Sequence, residues 1–110
     1  MRILIADDDS ERHVKFGVMY AHYDRSHARS VEEAIQFLDM ASQPFDVALL
    51  DHGFGTGFPT GTDLAKFIVS LPEDKRPRKV IIHSWYDGGA REMEALLKAA
   101  GVVCGVKPFT

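Results

Sequence analysis

Four short apolar runs in this chain end in residues able to do chemistry. RILIA (2–6) leads into Asp7, Asp8 and Asp9, and DVALL (46–50) into Asp51 and His52. KVIIHS (79–84) closes on His83 and Ser84, and VVCGV (102–106) on Lys107 and Pro108. Gathered carboxylates repel one another unless a cation sits among them. Oxygen ligands from Asp8, Asp51 and a loop carbonyl suit a hard cation such as Mg²⁺ (or Mn²⁺), which keeps several waters in such sites. Lys107 and Ser84 would then contact phosphoryl oxygens whose charge the metal neutralises. Each residue alone has a plainer reading. Asp8 or Asp9 with Ser10 caps a helix, His83 is a satisfied interior histidine, Ser84 a turn residue and Lys107 a surface lysine. Their joint placement at four strand ends is what points to a site.

The elements that must position them follow from periodicity. The four runs are strand-length and rich in Val, Ile and Leu, as strands buried on both faces of a parallel sheet are. A weaker strand falls in AHYDRSHA (21–28). Val31, Ala34, Ile35 and Leu38 repeat at helical spacing, behind a capping box in SVEE (30–33) with Ser30 as N-cap. Leu64, Phe67, Ile68 and Leu71 repeat it up to Pro72, and Met93, Leu96, Leu97 and Ala100 up to Gly101. The first helix, about Ser10 to Tyr20, is less cleanly patterned and contains Gly17. This alternation predicts an α/β fold with a doubly wound, five-stranded parallel sheet, whose ligands bind beyond the carboxyl ends of the strands.

Composition bounds the rest. The 110 residues make one domain, 1–110, with ordinary globular proportions of 45% hydrophobic and 26% charged residues. A net charge of −3 argues against a nucleic-acid-binding surface, and the one basic cluster, DKRPRK (74–79), reads as a solvated turn. The lone Cys104 excludes an internal disulfide and a Cys-rich zinc site, and reads as a small strand residue. No apolar run approaches the roughly 20 residues that span a bilayer. The start, MRILIADDDS, turns acidic too early for a secretory signal, so the cytosol is expected.

The stretch GFGTGFPTGTD (53–63) lacks the lysine of a P-loop. It reads either as a flexible connection or as a loop whose N–H groups and Thr56, Thr60 or Thr62 close over a phosphate. Trp85 and Tyr86 could stack on a base or cover the sheet edge. His13, His22 and His27 show no ligand spacing and are expected at the surface.

ILIADDDS, DVALLD, the hydroxyl after VIIH, and VKPF together resemble the response-regulator receiver domain over nearly the whole chain. That resemblance implies Asp7 and Asp8 as the acidic pair, Asp51 as phosphoacceptor, Ser84 as the hydroxyl and Lys107 as the phosphate-sensing lysine, with a cis Lys107–Pro108 bond. The residues end just past the fifth strand, so a receiver fold lacking its fifth helix is expected. LDHGFG, TGTD and HSWYDGGAREM narrow the likeness to the cyclic-phosphate-processing receiver-like domains. Asp51, His52, Gly61, Thr62, His83, Ser84, Gly89, Ala90 and Met93 match that pattern, although Asp63 stands where its second Gly would fall unless the Gly-Thr-Gly element is Gly55–Gly57.

Opening a cyclic phosphodiester needs a base to activate water and an acid to protonate the leaving oxygen. Imidazoles titrating near neutrality suit both tasks, which singles out His52 and His83. The expected function is a Mg²⁺-dependent phosphoesterase acting on a cyclic phosphate or phosphorylated small molecule, with nucleic acid involved only as a cyclic-phosphate RNA end. Asp51, His52, His83 and Lys107 are its candidate catalytic residues. Ser84, Lys107 and Thr62 would hold phosphate, and Asp7, Asp8 and Asp51 the metal. The rival is a stand-alone phosphoacceptor, phosphorylated on Asp51 by a histidine kinase. A binding module on a degenerate receiver fold is the third reading.

Overall fold

The computed structural model describes residues 1–84 and 87–107, with Asp87 through its backbone only. In chain order the elements are β1 (Arg2–Ala6), α1 (Ser10–Met19), β2 (Asp24–Ala28), α2 (Val31–Met40), β3 (Val47–Leu50), α3 (Gly61–Ser70), β4 (Val80–Ile82), α4 (Asp87–Ala99) and β5 (Cys104–Val106). A 3-10 turn, Glu73–Lys75, precedes β4. All strands pair in parallel, in the order β2-β1-β3-β4-β5. The doubly wound sheet is therefore the observed one. Its order reverses between β1 and β3, which opens a crevice at their carboxyl ends.

Both faces of the sheet are covered, which is why its strands are apolar throughout. Leu4, Ala6, Ala48, Leu50, Val80 and Ile82 pack against Val31, Ala34 and Leu38 of α2, Leu64 and Ile68 of α3, and Met93 and Leu97 of α4. Ile3, Ile5, Val47 and Leu49 face the other way, toward Phe16 of α1. Removing one such buried Leu or Ile side chain to Ala typically costs about 2–5 kcal/mol.

The helix ends follow the sequence signals. Asp9 caps α1 by accepting from the Glu11 and Arg12 N–H groups, and Ser30 caps α2 through Glu33. Thr60 and Asp63 form a capping box on α3. Gly101, at φ +83°, closes α4: its N–H reaches the Lys98 carbonyl and that of Val102 reaches Leu97, a Schellman arrangement. The weak strand exists, as β2 at the sheet edge. β4 is shorter than the apolar run suggested, so His83 and Ser84 stand beyond its last residue, Ile82. No helix among the described residues is long and apolar enough to cross a membrane.

Candidate functional site

The four strand-end residues occupy equivalent places. The N–H of Asp7 donates to the Ala28 carbonyl (3.0 Å), Asp51 to Ala6 (3.0 Å), His83 to Leu50 (3.0 Å) and Lys107 to Ile82 (2.8 Å). Each is thus the first residue past its strand, held by the strand beside it. The ladder brings Asp7, Asp51, His83 and Lys107 to one edge of the sheet, as their positions in sequence suggested.

Asp7 is fully buried, and its carboxylate accepts four hydrogen bonds. Oδ1 takes the Asp9 N–H (2.8 Å) and Arg12 Nη2 (2.8 Å); Oδ2 takes Arg12 Nε (2.7 Å) and His83 Nε2 (2.8 Å). Burial alone would raise this pKa. The hydrogen bonds from His83, Arg12 and the Asp9 backbone prevail and hold it far below the usual carboxylate range. The same pairing pushes Arg12 further up, against the cost of its own burial.

Arg12 is the residue that sequence reasoning missed. Its Nη2 also lies 3.3 Å from Asp51 Oδ2, and its guanidinium is within 4 Å of Asp8 and Asp9. The cation that the clustered carboxylates require is in part this side chain. A signal for it existed. A cation in the first turn of a helix opposes the macrodipole, so its placement there needs a tertiary reason. Helical side chains also lean toward the N-terminus, here toward the ends of β1 and β3.

Asp51 is 9% exposed, and its Oδ1 accepts the His52 N–H at 2.9 Å. Burial and the neighbouring Asp7 raise its pKa, opposed by His83, His52 and Arg12. Two glycines set the surroundings of this pair. A Cβ on Gly61 would overlap the Asp51 carbonyl, the His52 Cα and Met93 Cε, and the Gly61 N–H donates to the His52 carbonyl at 2.7 Å. A Cβ on Gly89 would strike the His52 ring. The start of α4 is therefore pressed against the imidazole beside Asp51. Of the positions noted in the sequence, Gly61 and Gly89 lie against Asp51 and His52, and Met93 lies against Gly61.

His83 is 3% exposed, stacked edge-on against Phe16, and tied through Nε2 to Asp7, with no hydrogen-bond partner for its buried Nδ1 among the described residues. Ser84 beside it is buried. Thr62 stands not on the loop surface but inside the first turn of α3, its buried Oγ1 lacking a hydrogen-bond partner among the described residues. Lys107 is at the site edge through its backbone while its side chain is exposed, and no ion pair to Asp51 occurs among the described residues. Arg12 makes that ion pair instead. The expected cis Lys107–Pro108 bond and the roles weighed for Trp85 and Tyr86 fall outside the described residues.

His13 is a correction. It was expected at the surface but is 3% exposed, with Nε2 2.7 Å from the Asp7 carbonyl and Nδ1 2.8 Å from Nδ1 of His27. It sits in the first half of α1, on the side facing the end of β1, and the irregular patterning of that helix hid this face.

One oxygen from each of Asp7, Asp8 and Asp51 can lie within 4.8 Å of the others, a donor set that fits a hard divalent cation. Asp7 is already saturated by Arg12, His83 and Asp9, so Asp8 and Asp51 are the residues that would hold the ion. Arg12 competes with it for the same negative charge.

The model of the cyclic-phosphate processing receiver domain family matches residues 1–99. The chain belongs to this family. No curated protein matches the sequence. Among solved structures, this receiver domain is similar to a response regulator receiver domain protein (CheY-like) from Methanospirillum hungatei JF-1. Identity is 25% and the TM-score 0.68, covering 99% of this chain and 82% of that one. It is also similar to the receiver domain of the Francisella response regulator 1452, at 23% identity and TM-score 0.71, covering 99% and 85%. A response regulator receiver protein from Pseudomonas putida aligns at 20% identity and TM-score 0.72, covering 99% and 87%. These likenesses show the fold. The strand ends that carry Asp7, Asp51 and His83 all lie within the residues matched by the family model.

Proposed function

We propose that this receiver domain hydrolyses a cyclic phosphate, with the reacting phosphoryl group at the edge carrying Asp8, Asp51 and His52. The observation that carries the reading is the seat of His52. Gly89 packs on the His52 ring and Gly61 on the backbone of Asp51 and His52, which seats an imidazole on the residue next to the acceptor carboxylate. A stable aspartyl phosphate gains nothing from a ring there able to activate water. A hydrolase needs one.

In this reading His52 takes a proton from water as its oxygen attacks phosphorus, and the ring P–O bond breaks as the leaving oxygen takes a proton from His83. His83, held by Asp7, supplies the second imidazole of the site. Ser84, Thr62 and Lys107 hold phosphoryl oxygens, and Arg12 adds a fixed positive charge beside Asp51. Mg²⁺ or Mn²⁺ on Asp8 and Asp51, when bound, would neutralise charge on the phosphoryl group. The substrate class is a small cyclic phosphate or a 2′,3′-cyclic phosphate RNA end, in the cytosol.

A second reading rests on Asp51 itself, a carboxylate at the β1/β3 switch point beside an acidic pair, in a fold shared with response regulators. There Asp51 accepts a phosphoryl group from a histidine kinase. Two assays on the wild-type protein separate the readings. Turnover of cyclic nucleotides or 2′,3′-cyclic phosphate ends, followed by ³¹P NMR, supports hydrolysis. A single phosphate transferred from acetyl phosphate, lost in Asp51→Asn and without any turnover, supports the phosphoacceptor and overturns the first reading.

A further inference from the structure

Between α1 and the edge strand β2 lies a groove of about 390 Å³, lined by His13, Val14, Gly17, Arg25, His27 and Arg29. Small-molecule sites begin at roughly 300 Å³. Four of the six lining residues are arginine or histidine, and none is a carboxylate, in a chain whose net charge is −3. Alternate residues along a strand share a face, so Arg25, His27 and, one residue past the strand, Arg29 form a row opposite α1.

The row is held in place. Arg25 Nη1 donates to the carbonyls of Tyr20 (3.1 Å) and Ala21 (2.9 Å), and Arg29 Nη1 to Ser10 Oγ (2.7 Å). Neither guanidinium has a carboxylate partner among the described residues; Glu33 takes the backbone N–H of Arg29 instead. Both forks are thus fixed through one nitrogen, with uncompensated charge. His13 Nε2 faces the Asp7 carbonyl and so carries a proton, and one proton is shared between its Nδ1 and Nδ1 of His27. This orients the His27 ring at the groove. Burial, His13, Arg25 and Arg29 all press His27 toward its neutral form. At Gly17 an added Cβ meets nothing within 4 Å, so this part of the groove is open.

We propose that this groove is a phosphate-binding site distinct from the acidic edge, taking a small phosphate-bearing ligand between Arg25, His27 and Arg29. Two guanidinium forks in one row suit the oxygens of a phosphate monoester.

The test is a titration of the whole ¹⁵N-labelled domain with inorganic phosphate, against sodium chloride at equal ionic strength. Saturable shifts are expected at the amides of Val14, Gly17 and His27 with phosphate alone. The double variant Arg25→Gln/Arg29→Gln should weaken the apparent affinity about tenfold or more, since it removes charge-assisted hydrogen bonds. Gly17→Leu, which fills the groove with a good helix former, should abolish the shifts while the fold is retained. Shifts confined to Asp51 and Ser84, shifts reproduced by chloride, or shifts unchanged in both variants would overturn the site. None of these readouts depends on turnover at the acidic edge.

Discussion

The Arg12 guanidinium spans Asp7 and Asp51, bidentate to the first at 2.7 and 2.8 Å and 3.3 Å from the second. One side chain of α1 thereby links the ends of β1 and β3, on either side of the switch point. It also stands in for the charge that a divalent ion would supply, and this sets the first expectation.

Arg12→Gln should lower the melting temperature in the absence of metal, because Asp7 and Asp51 lose their shared cation. Mn²⁺ or Mg²⁺ should then restore stability in the variant by a larger increment than in the wild type, because binding to the folded state alone stabilises it. Calorimetry with and without the ion measures both increments. Equal increments would show that Arg12 and the metal do not compete.

Asp7→Asn should destabilise the domain by about 3–5 kcal/mol, the usual cost of removing one partner of a buried ion pair. The sign with pH follows from the direction of the shift. The folded pKa of Asp7 lies below its unfolded value, so its contribution is complete above the unfolded pKa of about 4 and is lost as pH falls through the folded pKa. Urea titrations from neutral to acid pH should show wild-type stability falling on the acid side, with a shallower fall in Asp7→Asn.

Asp51→Asn should act in the opposite direction at neutral pH and raise the melting temperature. Burial and the proximity of Asp7 raise the folded pKa of Asp51. Its favourable contribution is therefore complete below the unfolded pKa and is lost as pH rises through the folded one, leaving an ionised group that costs stability. Thermal melts of both proteins should differ at pH 7 and converge toward pH 4. A lower melting temperature for Asp51→Asn at pH 7 would mean that the Arg12 contact outweighs burial.

His52→Ala should reduce hydrolysis by about 10²–10⁴ with little change in stability, the range of a general acid–base group. Gly89→Ala should reproduce part of that loss, because its methyl group displaces the His52 ring. Gly61→Ala should instead destabilise, by about 1–3 kcal/mol, since its methyl group meets the Asp51 backbone carbonyl, which cannot swing aside. Turnover and denaturation measured together on the three variants separate ring placement from backbone packing.

Much of this molecule was legible in its residues. Continuous Val, Ile and Leu runs mark strands buried on both faces, and Leu64, Ile68 and Leu71 mark one side of a helix, because burial imposes the period of the backbone on the side chains. Strand–helix alternation then implies the parallel sheet, and chemistry-bearing residues just past each strand imply where a site lies. Asp7, Asp51, His83 and the backbone of Lys107 accordingly meet at one edge.

What the tertiary structure alone decided is which side chain reaches which. His83 and Asp7 are 76 positions apart and are joined through a 2.8 Å hydrogen bond only because β3 lies between β1 and β4. Arg12, rather than Lys107, neutralises Asp51, since the first turn of α1 directs its side chain back over both carboxylates while the Lys107 side chain is exposed. His13 is buried because its carbonyl partner on Asp7 and its imidazole partner on His27 come together only when β2 pairs with β1. Periodicity is a local property of the chain and can be read along it. The partner of a charge depends on strand order and side-chain reach, which exist only once the sheet has formed.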